Sequence, residues 1–198
     1  MIEPAVVAAV RPVAEVLEAL GVPYYLGGSL ASSAHGVPRA SIDADLIADL
    51  EPSHVEPLLA RLGGSYYIPV DRLHAAVAER RSVNLIHFAT MFKIDLFVSK
   101  RRPFDRQVHA RARLETFGEA PQARQFPVAS AEDTVLAKLE WFRAGGEASD
   151  RQWTDVIGIL RVATHADRAY LHRWASELGV EDLLDATLTE AARSEPPG

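Results

Sequence analysis

Residues 41–47 alternate between polar and apolar side chains with a period of two, and two of the polar residues are aspartates. This period predicts a half-buried β-strand, because successive side chains of a strand point to opposite faces of the sheet. Asp43 and Asp45 would share one face, while Ile42, Ala44 and Leu46 would lie on the other. The chain must therefore form a sheet with one apolar face and one face that carries neighbouring carboxylates.

A third aspartate, Asp95, has similar neighbours, because it lies between Ile94 and Leu96 in an apolar stretch. Residues 83–88 and 92–98 are predicted to form neighbouring antiparallel strands. A lone buried carboxylate is costly, so we expect Asp95 to reach the same site as Asp43 and Asp45 from an adjacent strand. A divalent cation would relieve the repulsion between the acids, and Mg²⁺, with Mn²⁺ as an alternative, prefers such oxygen ligands.

A glycine-rich turn, Gly27-Gly28-Ser29, precedes the acidic strand. It follows a short predicted strand at 23–26 and opens a short predicted helix at 29–34. Glycines let backbone N–H groups approach an anion closely, and the N-terminus of a helix attracts negative charge, so a phosphate would fit here. The plainer alternatives are a tight turn and a helix N-cap at Ser29.

The pattern of elements predicts an α/β fold class, with a small mixed sheet flanked by helices and a C-terminal helical bundle. Residues 1–128 would form the α/β domain and residues 129–198 a helical subdomain that closes the cleft. A Ser130-x-x-Asp133 capping box opens the helical part. Further helices are predicted at 4–20, 53–62, 71–81, 151–162, 167–178 and 181–192.

The composition of the sequence excludes several kinds of binding site and several classes of protein. The sequence has no cysteine, which excludes disulfides, thiolate metal sites and cysteine nucleophiles. It has neither a secretory pattern nor an apolar run of the roughly 18 to 20 residues that a membrane span needs, so we expect a cytoplasmic protein without a membrane partner. The net charge of −6 argues weakly against a broad nucleic-acid surface.

One local stretch is basic, and it is the candidate contact for a polyanionic acceptor such as tRNA. An exposed basic helix face is the plainer interpretation. Its cationic residues are Lys100, Arg101, Arg102, Arg106, Arg111 and Arg113.

Taken in order, these motifs resemble the nucleotidyltransferase superfamily of the polymerase-beta type. That family has a hydrophobic strand ending in Gly-Gly or Gly-Ser, then an Asp-x-Asp strand, then a later acid between hydrophobic residues. Here thirteen residues separate Ser29 from Asp43, and Ile94-Asp95-Leu96 supplies the last part. Residues 35–41 are similar to those of the bacterial branch that includes abortive-infection toxin nucleotidyltransferases. In the helical half, Glu132, Lys138 and Asp155 resemble that branch's downstream Glu, Lys and Asp.

The resemblance implies a Mg²⁺-dependent transfer of a nucleoside monophosphate from a nucleoside triphosphate to an acceptor hydroxyl. Asp43, Asp45 and Asp95 would be catalytic residues that hold the metal, and Asp95 would assist deprotonation of the hydroxyl. The triphosphate would be bound by four residues, namely Gly28, Ser29, Arg39 and Lys138.

Each of these roles has a structural alternative. Asp95 could pair with Lys93 or Arg101, Asp155 with Arg151, and the Lys138 side chain could extend to water. The acceptor stays open between the 3′ end of tRNA, a protein and a small molecule, and a cognate antitoxin is a further candidate partner. The rival functions are a catalytically inert nucleotide-binding or antitoxin-like module and a metal-dependent phosphohydrolase.

Overall fold

The computed structural model of the chain describes residues 4–37, 41 and 43–193. By its internal contacts the described chain divides into two compact units. The first contains residues 4–30, 41 and 43–129, and the second contains residues 31–37 and 130–193.

The first unit is an α/β structure, as predicted, and its sheet has seven strands within the described residues. In chain order its elements are α1 (Pro4–Ala19), β1 (Tyr24–Leu26), the start of α2 (Gly28–Ala34), β2 (Asp43–Ala48), α3 (Val55–Leu62), β3 (Tyr66–Tyr67), α4 (Val70–Glu79), β4 (Ser82–His87), β5 (Lys93–Val98), α5 (Pro103–Arg111), β6 (Arg113–Phe117) and β7 (Arg124–Val128).

The sheet is mixed and has the strand order β3-β4-β5-β2-β1-β7-β6. β2 lies in the centre, parallel to β5 and antiparallel to β1. β4 is antiparallel to β5, which confirms the predicted pairing of those two runs. The strand that carries Asp43 and Asp45 is therefore flanked directly by the strand that carries Asp95.

The alternation in β2 and β5 separates a buried face from a half-buried one. Ala44 and Leu46 of β2 and Ile94 and Leu96 of β5 have no exposed surface. This face packs against α1, whose Val10, like its other inward-facing apolar residues, is fully buried. Each fully buried aliphatic side chain contributes about 1.5–3 kcal/mol to stability, so burial of this face fixes which face carries the acids.

The β6–β7 hairpin was not predicted from the sequence. β6 is an edge strand with mostly exposed side chains, and β7 contains Pro127, which is unusual in a strand interior. Neither strand therefore shows a clear apolar alternation. The hairpin is held instead by its pairing, in which Arg113 to Phe117 lie opposite Val128 to Arg124.

The second unit is helical, as predicted. After the C-terminal part of α2 it contains α6 (Ala131–Ala144), α7 (Asp150–Val162), α8 (Arg168–Leu178) and α9 (Glu181–Arg193). The predicted cap of α6 is confirmed, because the backbone N–H of Asp133 donates to the Ser130 hydroxyl at 3.2 Å. In the part of the chain that the structure describes, none of the helices combines the length and apolar character that a membrane span requires.

Candidate active site

The parallel register of β2 and β5 places the three predicted aspartates on one face of the sheet. Asp45 lies directly opposite Asp95, and Asp43 lies opposite Lys93. All four side chains are half-buried and point away from the face that α1 covers. Side chains directly opposite each other on neighbouring strands have Cβ atoms about 5 Å apart, so the carboxylates of Asp45 and Asp95 are close neighbours.

The glycine turn lies against this acidic face. The backbone N–H of Gly27 donates to the carbonyl of Asp45 at 2.9 Å, which joins the end of β1 to β2. Gly28 has a φ of +52°, and a Cβ placed on it would lie 1.6 Å from Oδ2 of Asp45. Both the backbone conformation and the close approach of the Asp45 carboxylate therefore require glycine at position 28.

Ser29 follows in the first turn of α2, which begins at Gly28, one residue before the predicted start. Its side chain is buried, and its hydroxyl oxygen accepts a hydrogen bond from the Ser41 hydroxyl at 2.8 Å. Ser29 is thus adjacent to the acidic face through Gly28. Arg39, predicted to contact the triphosphate, lies outside the described residues.

Among the described residues, Lys93 is a cation on this face. Its Nζ lies 2.7 Å from Oδ2 of Asp95 and 3.4 Å from Oδ2 of Asp43, so one ammonium bridges carboxylates of two strands. The hydrogen bond from Lys93 to Asp95 raises the pKa of the lysine above its ordinary value, against the opposing effect of burial, and the charges of Asp95 and Asp43 add to the increase. The alternative partner that the sequence offers for Asp95 is therefore present in the structure.

The donor set fits a hard divalent cation. No group of three acidic or histidine side chains converges on a common point among the described residues. Mg²⁺, however, usually keeps several waters and takes only one or two carboxylates from the protein. Asp43 and Asp95 already hold a positive charge between them, and Asp45 lies beside Asp95 on the same face. That Asp43, Asp45 and Asp95 together are the metal ligands stays a prediction.

In the helical unit, Lys138 and Asp155 form a buried ion pair with an Nζ–Oδ2 distance of 2.8 Å. The ammonium of Lys138 therefore does not extend to water, and Lys138 is a partner of Asp155. Glu132 accepts a hydrogen bond from the backbone N–H of Asp167 at 3.1 Å. The contact of Lys138 with a triphosphate stays a prediction.

The basic run is divided among several elements. Its first three residues precede α5, Arg106 and Arg111 lie in that helix, and Arg113 begins β6. Arg101 forms ion pairs with Asp49, at 2.6 Å, and with Glu51. Arg102 pairs with Asp105 at 2.8 Å. The interpretation as a single helix face is therefore wrong, and part of the positive charge is neutralised by carboxylates.

Sequence reasoning missed Asn84 and identified Lys93 only as a possible ion-pair partner of Asp95. That Lys93 belongs to the acidic face could have been found, because it lies two positions before Asp95 in the same strand and so shares its face. Asn84 could not, because its exposed side chain is placed opposite Asp95 only by the antiparallel register of β4 and β5. The face thus extends from the glycine turn across β2 and β5 to β4.

Comparison with known proteins finds similarity to solved structures but not to sequences. No family model matches the sequence, and no curated protein matches it. Among solved structures, the chain is similar to the antibiotic-resistance factor ANT(2″)-Ia, with a TM-score of 0.56 at 12% identity over 96% of this chain and 97% of that one. The same factor in complex with adenylyl-2″-tobramycin gives a TM-score of 0.54 at 13% identity over 87% and 96% of the two chains.

A second protein, an antigenic nucleotidyltransferase-like protein from Paracoccidioides brasiliensis, is equally similar. Its TM-score is 0.56 at 15% identity, over 96% of this chain and 94% of that one. At sequence identities this low, the similarity is evidence for the fold alone. It is consistent with the order in which the glycine turn and the acidic strands follow one another in this chain. The chain shares the fold of these solved structures, in agreement with the fold that its sequence motifs predict.

Proposed function

We propose that this protein is a Mg²⁺-dependent nucleotidyltransferase that moves a nucleoside monophosphate from a nucleoside triphosphate to an acceptor hydroxyl. The observation that carries the proposal is the register of β2 and β5, which sets Asp45 opposite Asp95 on the face where Asp45 also contacts the Gly28 turn. The nucleotidyltransferase fold supports the same reaction class.

The acidic residues have distinct roles in this proposal. Asp43, Asp45 and Asp95 would hold the metal, which would supply positive charge to neutralise the phosphates and polarise the reacting groups. Asp95 accepts the proton of the acceptor hydroxyl, and its position on β5, opposite Asp45 on one side and the exposed Asn84 on the other, supports this role. The acceptor oxygen then bonds to the α-phosphorus and pyrophosphate leaves.

The triphosphate would be bound at the other side of the acids. Gly28 has no side chain to block the approach of a phosphate, and the Ser29 hydroxyl is next in the chain. Lys138 and Arg39 remain the candidate cations for the leaving pyrophosphate. For Lys138 this role requires its ammonium to exchange its contact with Asp155 for a phosphate oxygen.

The acceptor is proposed only as a class, a hydroxyl group. One compared structure contains an adenylylated aminoglycoside, so a small molecule is a candidate beside the 3′ end of tRNA and a protein hydroxyl. The exposed basic residues Lys100 and Arg113 are the part of the basic run best placed for a polyanionic acceptor. The resemblance to toxin-like enzymes also keeps a cognate antitoxin as a candidate partner.

The test is an incubation of the purified protein with Mg²⁺ or Mn²⁺ and each of four α-labelled nucleoside triphosphates. Total RNA, a protein mixture and aminoglycosides such as tobramycin serve as acceptors. Labelled acceptor with released pyrophosphate supports transfer. Free nucleoside monophosphate alone identifies a phosphohydrolase, and binding of a triphosphate without any product identifies an inert nucleotide-binding module.

The variants Asp45→Asn and Asp71→Asn make a matched pair for this assay. Asp71 is an exposed acid in the first turn of α4, far in sequence from the acidic strands. We expect Asp71→Asn to retain transfer and Asp45→Asn to lose it. Equal activity of the two variants would remove Asp45 from the site.

A further inference from the structure

Lys93 occupies the place between two acids where a cation is needed. It is the first residue of β5, and the parallel register sets it opposite Asp43, two residues before Asp95 on the same face. Its ammonium is 2.7 Å from Asp95 and 3.4 Å from Asp43. The Lys93 side chain therefore already supplies part of the positive charge that the neighbouring carboxylates require.

The contact of Lys93 with the acids differs from the contacts of the nearby arginines. Arg80 and Arg101 pair with Asp49 and Glu51, which follow β2 at the end opposite to Asp43. Those guanidinium groups are held by carboxylates of their own. Lys93 instead joins two carboxylates that the proposed reaction assigns to the metal.

An ammonium and a divalent cation compete for such a position. Both bind through the carboxylate oxygens of Asp43 and Asp95, and two positive charges a few ångströms apart repel each other. The Lys93 side chain is 40% exposed and has a flexible four-carbon stem, so its head group can leave the acids without losing solvation. A metal ion that arrives alone must displace it.

A triphosphate changes this competition. When a nucleotide enters with the metal, the phosphate oxygens offer the displaced ammonium new partners on the same face of the sheet. The loss of the contacts to Asp43 and Asp95 is then offset. Binding of the metal and of the nucleotide becomes mutually favourable, and by linkage each ligand raises the affinity for the other by the same factor.

We propose that Lys93 is a positioning residue that holds Asp43 and Asp95 together before the metal binds, and that its displacement couples metal binding to nucleotide binding. This inference rests on the proposed function, because it takes the metal site and the triphosphate from that reaction. The contacts of the Lys93 ammonium with Asp43 and Asp95 are the observations that support this role.

The test measures the affinity of the full-length protein for Mn²⁺, by electron paramagnetic resonance, with and without a nonhydrolysable α,β-methylene nucleoside triphosphate. For the wild-type protein we expect weak binding of Mn²⁺ alone and binding at least about tenfold tighter with the nucleotide. In Lys93→Met, binding of Mn²⁺ alone should become about tenfold tighter or more, because a neighbouring positive charge is removed. The ratio between the Mn²⁺ affinities measured with and without nucleotide should therefore be smaller in Lys93→Met than in the wild-type protein.

Three further variants make the result decisive. Lys93→Arg keeps the charge and should resemble the wild-type protein, whereas Lys93→Gln removes it and should resemble Lys93→Met. Arg72→Met removes an exposed cation of α4 and should leave both affinities unchanged. A cooperative thermal unfolding transition of each variant shows that it is folded. If Lys93→Met does not fold, Lys93→Gln replaces it as the variant without the charge.

Two outcomes would overturn the inference. If charge removal leaves the affinity for Mn²⁺ alone unchanged or lowers it, Lys93 does not compete with the metal. If the wild-type protein binds Mn²⁺ equally well with and without nucleotide, there is no coupling. A failure of the proposed metal site is recognised separately, because Asp43→Asn/Asp45→Asn would then bind Mn²⁺ as well as the wild-type protein does, and a failure of transfer is recognised from the products of the labelled-nucleotide assay.

Discussion

Two lysine–aspartate contacts in this protein are built in opposite ways. In the helical unit Lys138 and Asp155 form a pair whose side chains are only 10% and 5% exposed. On the sheet, Lys93 is 40% exposed and shares its single charge between Asp43 and Asp95, with Asp45 beside them. One contact is buried, whereas the other is open to solvent and joins carboxylates of two strands.

The difference indicates which of the two contacts contributes more to stability. Removal of one partner from a buried pair leaves an uncompensated charge in a medium that solvates it poorly, so Lys138 and Asp155 depend on each other. An exposed ion pair contributes little, and neighbouring carboxylates repel. The contacts of Lys93 with the acidic face therefore contribute little to folding, which is consistent with the cation site proposed there.

The largest effect should come from the acids of the open cluster. Asp43→Asn/Asp45→Asn should reduce nucleotidyl transfer about a thousandfold or more, because neutral amides are poor ligands for Mg²⁺. The free energy of unfolding should stay the same or rise by up to about 1 kcal/mol, since repulsion is relieved. The measurements are the labelled-transfer assay and urea denaturation. A large loss of stability would show that the acids are structural.

The two lysines test the comparison directly. Lys138→Met should lower the free energy of unfolding by about 3–5 kcal/mol, because Asp155 is left buried without its ammonium. Lys93→Met should change it by less than about 1 kcal/mol. Urea denaturation of both variants, together with Lys138→Met/Asp155→Leu, measures the difference, and the double variant should recover most of the loss. Equal effects of the two single changes would show that the buried and the exposed contact contribute equally to stability.

Substitutions at Gly21 and Gly28 distinguish the steric cost of an added side chain from the cost of the backbone conformation. Gly28 and Gly21 both have positive φ, at +52° and +67°, but only at Gly28 would a Cβ meet another group, the Asp45 carboxylate. Gly21→Ala should destabilise by about 1 kcal/mol through its backbone conformation alone. Gly28→Ala should cost about 1–3 kcal/mol more and also reduce transfer, because Asp45 must move. Similar unfolding midpoints for the two variants would show that the Asp45 carboxylate yields without cost.

The smallest effect concerns the metal itself. Mn²⁺ at about ten times its dissociation constant, with nucleotide present, should stabilise the folded protein by about 1.4 kcal/mol. For a chain of this size the melting temperature should rise by about 3 °C, as measured by differential scanning fluorimetry. Asp71→Asn should keep the increase and Asp43→Asn/Asp45→Asn should lose it. An increase in the double variant would place the metal elsewhere.

Much of the fold could be predicted from local patterns. Helical spacing and caps predicted α6 to α9, as the Ser130 cap illustrates. Period two predicted β2, and two runs rich in β-forming residues predicted β4 and β5. The β6–β7 hairpin could not be predicted, because an exposed edge strand and a strand with Pro127 carry no apolar alternation. Its strands are defined by pairing with each other and with β1.

The sequence alone determined that Asp43 and Asp45 share a face, since the period of a strand is a local property of the backbone. It also determined that a turn of two glycines precedes them. Only the tertiary structure decided that Asp95 lies opposite Asp45, that Lys93 bridges Asp95 and Asp43, and that Lys138 pairs with Asp155. These contacts depend on register and packing between segments distant in sequence, which hydrogen bonding and burial select together and no local pattern encodes.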